Sequence, residues 1–251
     1  MKNGSSFVGC PLGLLSMALL WGWNLFIPAD VGAASAEIEG QKLVRQLRDL
    51  RPAQTFNNTG TMEIRRQGRN RVPVYLKTIV EGERWHSIYG TATSPTLVIT
   101  QSHEGLNTYR SLPPTSVSSN PDFTRQRLLK NSLVPFAGSD FWLFDLGLEF
   151  LQWPHQRLVG TASRKTQKCY VLDSMNPFPR VGAYSRVRSY VDVDSMALIT
   201  AEAFDHQGRL WKRFEPKKLK KVDGKWRLKE IEMRNFRTDS KTTLIFDREI
   251  Q

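Results

Sequence analysis

Three textures of hydrophobic and polar residues follow one another along the chain. Ile38, Leu43, Val44, Leu47 and Leu50 fall at helical spacing and Pro52 ends the run, so a helix is expected over Glu37–Arg51. Beyond it the chain reads as short strand-like runs separated by turn signals. The first group is Thr59–Arg66, Val72–Glu81, Arg84–Thr91, Thr96–Ser102 and Leu106–Arg110. The second is Gln156–Thr161, Gln167–Ser174, Tyr184–Val193, Ala197–Asp205, Arg209–Val222, Lys225–Arg237 and Thr242–Phe246. Gln67-Gly68, Glu81-Gly82, His206-Gln207-Gly208, Asp223-Gly224 and Thr238-Asp239-Ser240 mark the turns. Short neighbouring strands with tight turns imply an antiparallel meander. About a dozen of them are too many for one flat open sheet.

The third texture lies between the two groups of strands. Pro135 to Pro154 is apolar around most of a helical circumference, with Asp145, Glu149 and Gln152 in one narrow polar stripe. Phe141, Phe144, Leu148 and Leu151 flank the stripe on one side, and Trp142, Leu146, Phe150 and Trp153 on the other. One helix is expected here, N-capped by Ser139 or Asp140 after the turn at Gly138 and stopped by Pro154. Such a helix is either buried deep in a core or a lid over an apolar cavity, and which stripe would face the cavity stays open. Ser111 to Phe136 precedes it as a long irregular stretch, a surface excursion or a further part of the lid, with a short basic helix expected over Phe123–Lys130.

Charge and the N-terminus narrow the setting. The formal net charge of +12 calls for an acidic partner, either nucleic acid or an anionic membrane surface. Lys2, the apolar run Pro11–Pro28 and the small residues Val31-Gly32-Ala33 and Ala34-Ser35-Ala36 have the layout of a secretory signal peptide, cleaved after Ala33 or Ala36. The competing reading is an uncleaved inner-membrane anchor. Export argues against nucleic acid and for phospholipid headgroups or acidic envelope components. Cleavage leaves Cys169 as the sole cysteine, a small buried hydrophobe that cannot form an internal disulfide.

Candidate chemistry is sparse. His86, His103, His155 and His206 show no metal-ligand spacing, and neither a nucleophile elbow nor a phosphate-binding glycine loop occurs. No metal, cofactor or catalytic residue is expected. On a helix Asp140 and Asp145 would point about 140° apart, so they would not act as an acid/base pair. Lys217-Lys218 and Lys220-Lys221 read as a basic strand edge, a solvated face or an anionic-membrane contact. Trp85, Trp211 and Trp226 sit in strands, where a curled sheet lets core and ligand contacts coincide.

Gly138-Ser139-Asp140-Phe141 followed by Asp145-Leu146 resembles the Gly-Ser-Asp-Phe…Asp-Leu signature of the LolA-like outer-membrane lipoprotein-sorting family. Tyr184 to Asp192, Phe204-Asp205-His206-Gln207-Gly208, Gly224-Lys225-Trp226, Met233-Arg234-Asn235 and Thr242-Thr243-Leu244 extend the resemblance in the same order. The family's Tyr-Leu-Pro stretch with paired arginines is replaced here by Tyr109-Arg110-Ser111-Leu112-Pro113, with Arg125 and Arg127 further on. The resemblance implies a mainly β fold: a curved, unclosed antiparallel β-barrel whose concave apolar face is covered by helices and a long loop. It also implies a single domain over residues 34–251. The function expected is that of a periplasmic carrier, a monomer without enzymatic activity, holding acyl chains of lipoproteins or phospholipid. The alternative is an envelope lipid sensor acting through an inner- or outer-membrane protein partner. Cavity residues are expected among Phe141, Trp142, Phe144, Leu146, Phe150, Trp85 and Trp226.

Overall fold

In the computed structural model, residues 30–250 are described except 51, 53, 103–104, 114–122 and 223–224. Among the described residues thirteen antiparallel strands form one sheet. The first six are β1 (Phe56–Arg65), β2 (Arg69–Glu81), β3 (Arg84–Thr91), β4 (Thr96–Ser102), β5 (Thr108–Leu112) and β6 (Arg127–Leu128). The rest are β7 (His155–Arg164), β8 (Gln167–Met175), β9 (Arg186–Asp192), β10 (Leu198–Phe204), β11 (Leu210–Val222), β12 (Lys225–Asn235) and β13 (Ser240–Ile250). The spatial order is β6-β5-β4-β3-β2-β1-β13-β12-β11-β10-β9-β8-β7. Two meanders therefore meet where β1 pairs with β13. The sheet is not closed: its free edges are β6 and β7, which the chain joins through residues 129–154.

The inward face is set by strand alternation. Met62, Val74, Leu97, Ile99, Met233, Leu244 and Phe246 form one buried cluster with Phe136, Phe141 and Leu143 of the connecting segment. Val187, Ala201, Ala203, Trp211 and Tyr184 form a second, with Phe144 and Phe150. Glu63, Arg65, Arg213 and Arg234 lie at the intervening positions, on the outward face. The segment between the free edges thus packs into the concavity, joining both clusters.

Four expectations are corrected. Pro135–Pro154 is three short turns instead of one helix: Phe136–Gly138, the helix α2 (Leu143–Leu146) and Glu149–Gln152. A continuous helix would carry the Gly147 carbonyl to an amide four residues on. Here that carbonyl instead accepts from Asn107 Nδ2 at 2.7 Å. A Cβ on Gly147 would stand 2.4 Å from the Tyr109 hydroxyl, so only glycine allows this approach. Leu148 then turns left-handed at φ 47°. Phe123–Lys130 is a single turn, Phe123–Arg125, followed by β6, because pairing with the β5 edge replaces helical bonding. The lysines of β11 are not at an edge, since β10 and β12 flank that strand. Lys217 and Lys218 are held by Glu215 and Glu230 at 2.6 and 2.7 Å. The fourth is the N-terminal helix.

That helix, α1, spans Asp30–Asp49 and so begins earlier than expected, through the alanine-rich stretch that carries both candidate cleavage positions. It lies against β7, burying Leu43 and Val44 with Leu172. Cys169 is buried. Of the stretch Ser111–Phe136 expected as a surface excursion or part of the lid, residues 114–122 lie outside the described residues, as does His103. No helix among the described residues is long and apolar enough to cross a membrane.

Candidate functional site

A cavity of about 510 Å³ opens between the concave face and the connecting segment. Its sheet wall is Phe56, Leu76, Tyr89, Phe214, Ile231, Leu244 and Phe246, all apolar positions of inward parity. The connecting segment contributes Phe141, Leu146 and Leu148. Asn58 and Asp145 are the polar groups in the lining. Burial pushes the Tyr89 hydroxyl up to about 12, so the wall it forms stays neutral. The volume lies in the range usual for small-molecule sites, about 300–1,000 Å³.

Two further recesses adjoin the segment. One of about 240 Å³ shares Tyr89, Leu146 and Leu148 with the main cavity and is bounded by Leu47 and Leu50. Trp85 lines this annex, its indole N–H satisfied by Gln101 Oε1 at 3.0 Å. The other, about 580 Å³, carries Phe144, Trp153 and Tyr184 beside Lys130 and Arg180.

Neither expected stripe faces the main cavity as a unit. Phe141 and Leu148 from one and Leu146 from the other line it, because the broken helix turns them the same way. Phe144 lines the 580 Å³ recess, and Phe150 a small pocket of about 10 Å³. Trp142 lines none of these spaces. It stacks on Tyr184 at 4.8 Å and meets Trp211 edge-on at 5.0 Å. The Trp226 side chain lies outside the described residues.

Gly138, Ser139, Asp140 and Asp145 form the fastening that seats the segment. Gly138 closes the first turn at φ 71°, and the Ser139 amide donates to the Phe136 carbonyl at 2.9 Å. Asp140 does not cap a helix. Its carboxylate accepts from Ser240 Oγ at 2.6 Å and Thr242 Oγ1 at 2.9 Å, tying the segment to β13. The cap belongs to Asp145, whose Oδ2 accepts the Trp142 amide at 2.8 Å. Asp145 also accepts from the Tyr184 hydroxyl at 3.0 Å. Lys212 Nζ, 3.4 Å from Asp145 Oδ2, donates to the Asp140 carbonyl at 2.7 Å. It lies 3.6 Å from the Trp142 ring centroid, a cation–π contact. Burial pushes the Lys212 ammonium below 10.5, opposed by the attraction of Asp145. Burial likewise raises the Tyr184 hydroxyl, helped by Asp145. Both carboxylates are committed to holding structure, and the space beside them is apolar. Among the described residues no group of histidine, cysteine or acidic side chains is placed to hold a metal ion.

Lys212 escaped the sequence reading because a lysine in a basic strand looks solvated; its inward parity, shared with Phe214, was the available signal. Leu244 and Phe246 carried the same signal.

A family model described as "Uncharacterized protein" matches residues 120–250. No curated protein matches the chain. Among solved structures, a domain from Vibrio parahaemolyticus named for outer-membrane lipoprotein sorting superposes with a TM-score of 0.68 at 19% identity, covering 85% of this chain and 92% of that one. A DUF1329 family protein from Desulfovibrio piger gives 0.67 at 18%, with the same coverage of 85% and 92%. A LolA superfamily protein from Nitrosomonas europaea gives 0.57 at 18%, covering 84% and 92%. At these identities the likeness concerns the fold.

Proposed function

Because the chain belongs to the family whose "Uncharacterized protein" model spans residues 120–250, and is folded as LolA superfamily proteins are, we propose that it is a carrier for acyl chains. The observation that carries this reading is the apolar cavity of about 510 Å³, walled by a curved sheet and held open by a fastened segment. Burial is the whole mechanism. Each methylene removed from water contributes about 0.8 kcal/mol, so a chain of about 15 methylenes gains about 12 kcal/mol before the cost of association. No bond is made or broken. The cargo is a lipoprotein's acyl chains or a phospholipid, and the compartment is the periplasm, reached through a signal peptide cleaved after Ala33 or Ala36. The 240 Å³ annex beyond Leu146 lets a longer chain extend toward α1.

Native mass spectrometry of the protein from its host tests the reading, with bound lipid as the expected result. Leu146 stands in the wall between cavity and annex and is only half-buried. Leu146→Gln should weaken binding of a fluorescent fatty acid at least several-fold while the thermal midpoint holds within a few degrees. Absence of probe binding by the wild-type protein would defeat the carrier reading.

A further inference from the structure

Antiparallel register places four turns side by side along one rim of the sheet. Arg65 pairs with Lys241, which pairs with Arg234, so the β1–β2 and β12–β13 turns are neighbours. Arg237 bonds Asp205 at 2.6 Å, adding the β10–β11 turn. The Ser185 amide donates to the Phe204 carbonyl at 2.8 Å, adding the β8–β9 connection.

The rim's chemistry is lopsided. Residues 65–69, 176–185, 205–209 and 234–241 hold eight cations, Arg65, Arg66, Arg69, Arg180, Arg209, Arg234, Arg237 and Lys241. Facing them are five carboxylates, Asp205 and Asp239 within those turns and Glu63, Asp140 and Glu232 from adjoining positions, so positive charge is in excess. Asp205 is buried, behind Arg209 and Arg237. Arg65 stands directly opposite both Arg69 and Lys241, and Lys241 opposite Arg234. Glu63 accepts from Arg65 and Arg69, and Glu232 from Lys241, so the repulsion between these like charges is only partly offset and an external anion relieves the rest.

Apolar side chains share the rim. Phe178 and Val181 are each 82% exposed. Their loop is built and not slack. Pro177 and Pro179 fix the backbone on either side of Phe178. The Phe178 amide donates to Asn176 Oδ1 at 2.9 Å, and Asn176 Nδ2 to the Tyr184 carbonyl at 2.7 Å. The Ala183 amide closes the loop on the Arg180 carbonyl at 3.1 Å. Two hydrophobic side chains are thus held out into water beside a row of guanidiniums, groups that bind phosphate oxygens in bidentate fashion.

We propose that this rim seats on an anionic phospholipid surface, with Phe178 and Val181 entering the headgroup–acyl boundary and the rim arginines on lipid phosphates. The occupant follows from the combination: dispersed positive charge around an apolar tip matches the layering of a bilayer interface, where buried apolar area and anionic headgroups both contribute. Pro177, Phe178 and Arg180 also wall the 580 Å³ recess, so that recess lies at the docking face. This docking is independent of whether the main cavity carries cargo.

The test reads depth at the tip itself, in the full chain, so that nothing elsewhere in the protein can mimic it. Phe178→Trp is mixed with phosphatidylglycerol/phosphatidylcholine vesicles whose acyl chains are brominated. The emission added by the substitution should shift to the blue and lose at least half its intensity. The loss should fall several-fold with pure phosphatidylcholine, with Val181→Asp or Arg180→Glu added, or in 1 M salt, where the screening length is about 3 Å. Added emission that stays unquenched on vesicles carrying the protein overturns the proposal, as does quenching indifferent to headgroup charge. An acidic protein that shields position 178 while such vesicles do not would overturn it equally.

Discussion

Glu149 shows what position alone does to an ordinary side chain. Its Oε2 is buried without a hydrogen-bond partner. Burial raises the carboxyl above its usual 4.5, against hydrogen bonds from Tyr109 and Ser132. With the folded value raised, the unfolded chain gives up its proton first, so stability present below 4.5 is lost as pH climbs through the folded value. Glu149→Gln, which carries no charge, should therefore be more stable than wild type at pH 7 by about 1 kcal/mol, with the difference vanishing below pH 4.5. Urea titrations at the two pH values check this; a gap independent of pH would contradict it. The sequence placed Glu149 in a polar stripe but could not show that the stripe faces inward. Asp140 and Asp145 were misplaced for a related reason. Their angular separation was taken from a helix that does not run through residues 140–142, and both carboxylates serve to fasten the segment inside.

At the scale of elements, strands were more legible than the segment between them. Arg84–Thr91 and Thr96–Ser102 were expected with the bounds observed: the Glu81-Gly82 turn marks the start of the first, and each is a short strand-like run paired antiparallel on both sides. The connecting segment was not legible. Its breaks are decided by partners far away in sequence, such as Asn107 at the Gly147 carbonyl, and an apolar pattern carries no trace of them. The helix α1 offers a test of local against tertiary preference. Alanine is favoured over glycine within a helix by about 1 kcal/mol. Yet a Cβ at Gly40 would stand 2.4 Å from the Gln156 carbonyl oxygen, on the backbone of β7. Gly40→Ala should accordingly lower the thermal midpoint and speed hydrogen exchange in α1 and β7, leaving β1–β5 protected. A raised midpoint would show that α1 is only loosely set against the sheet.

For the whole molecule, fold class was readable from strand count and turn spacing, while the place of the opening was not. Nothing local says that β1 joins β13 or that β6 and β7 are left free; strand order is a property of long-range pairing. Removing residues 240–250 should expose the edges of β1 and β12, and an unpaired edge recruits other chains. The soluble fraction of that variant should collapse, and a soluble, monomeric product would show that the two meanders do not need their seam. The seam also sets a timetable. β1 is among the first strands to emerge during synthesis, and its second neighbour is the last strand of the sheet to be made. Until residues 240–250 appear, the first meander waits with its β1 flank uncovered, and Glu63 and Arg65 at the end of that strand are its only charges against pairing with a neighbouring copy.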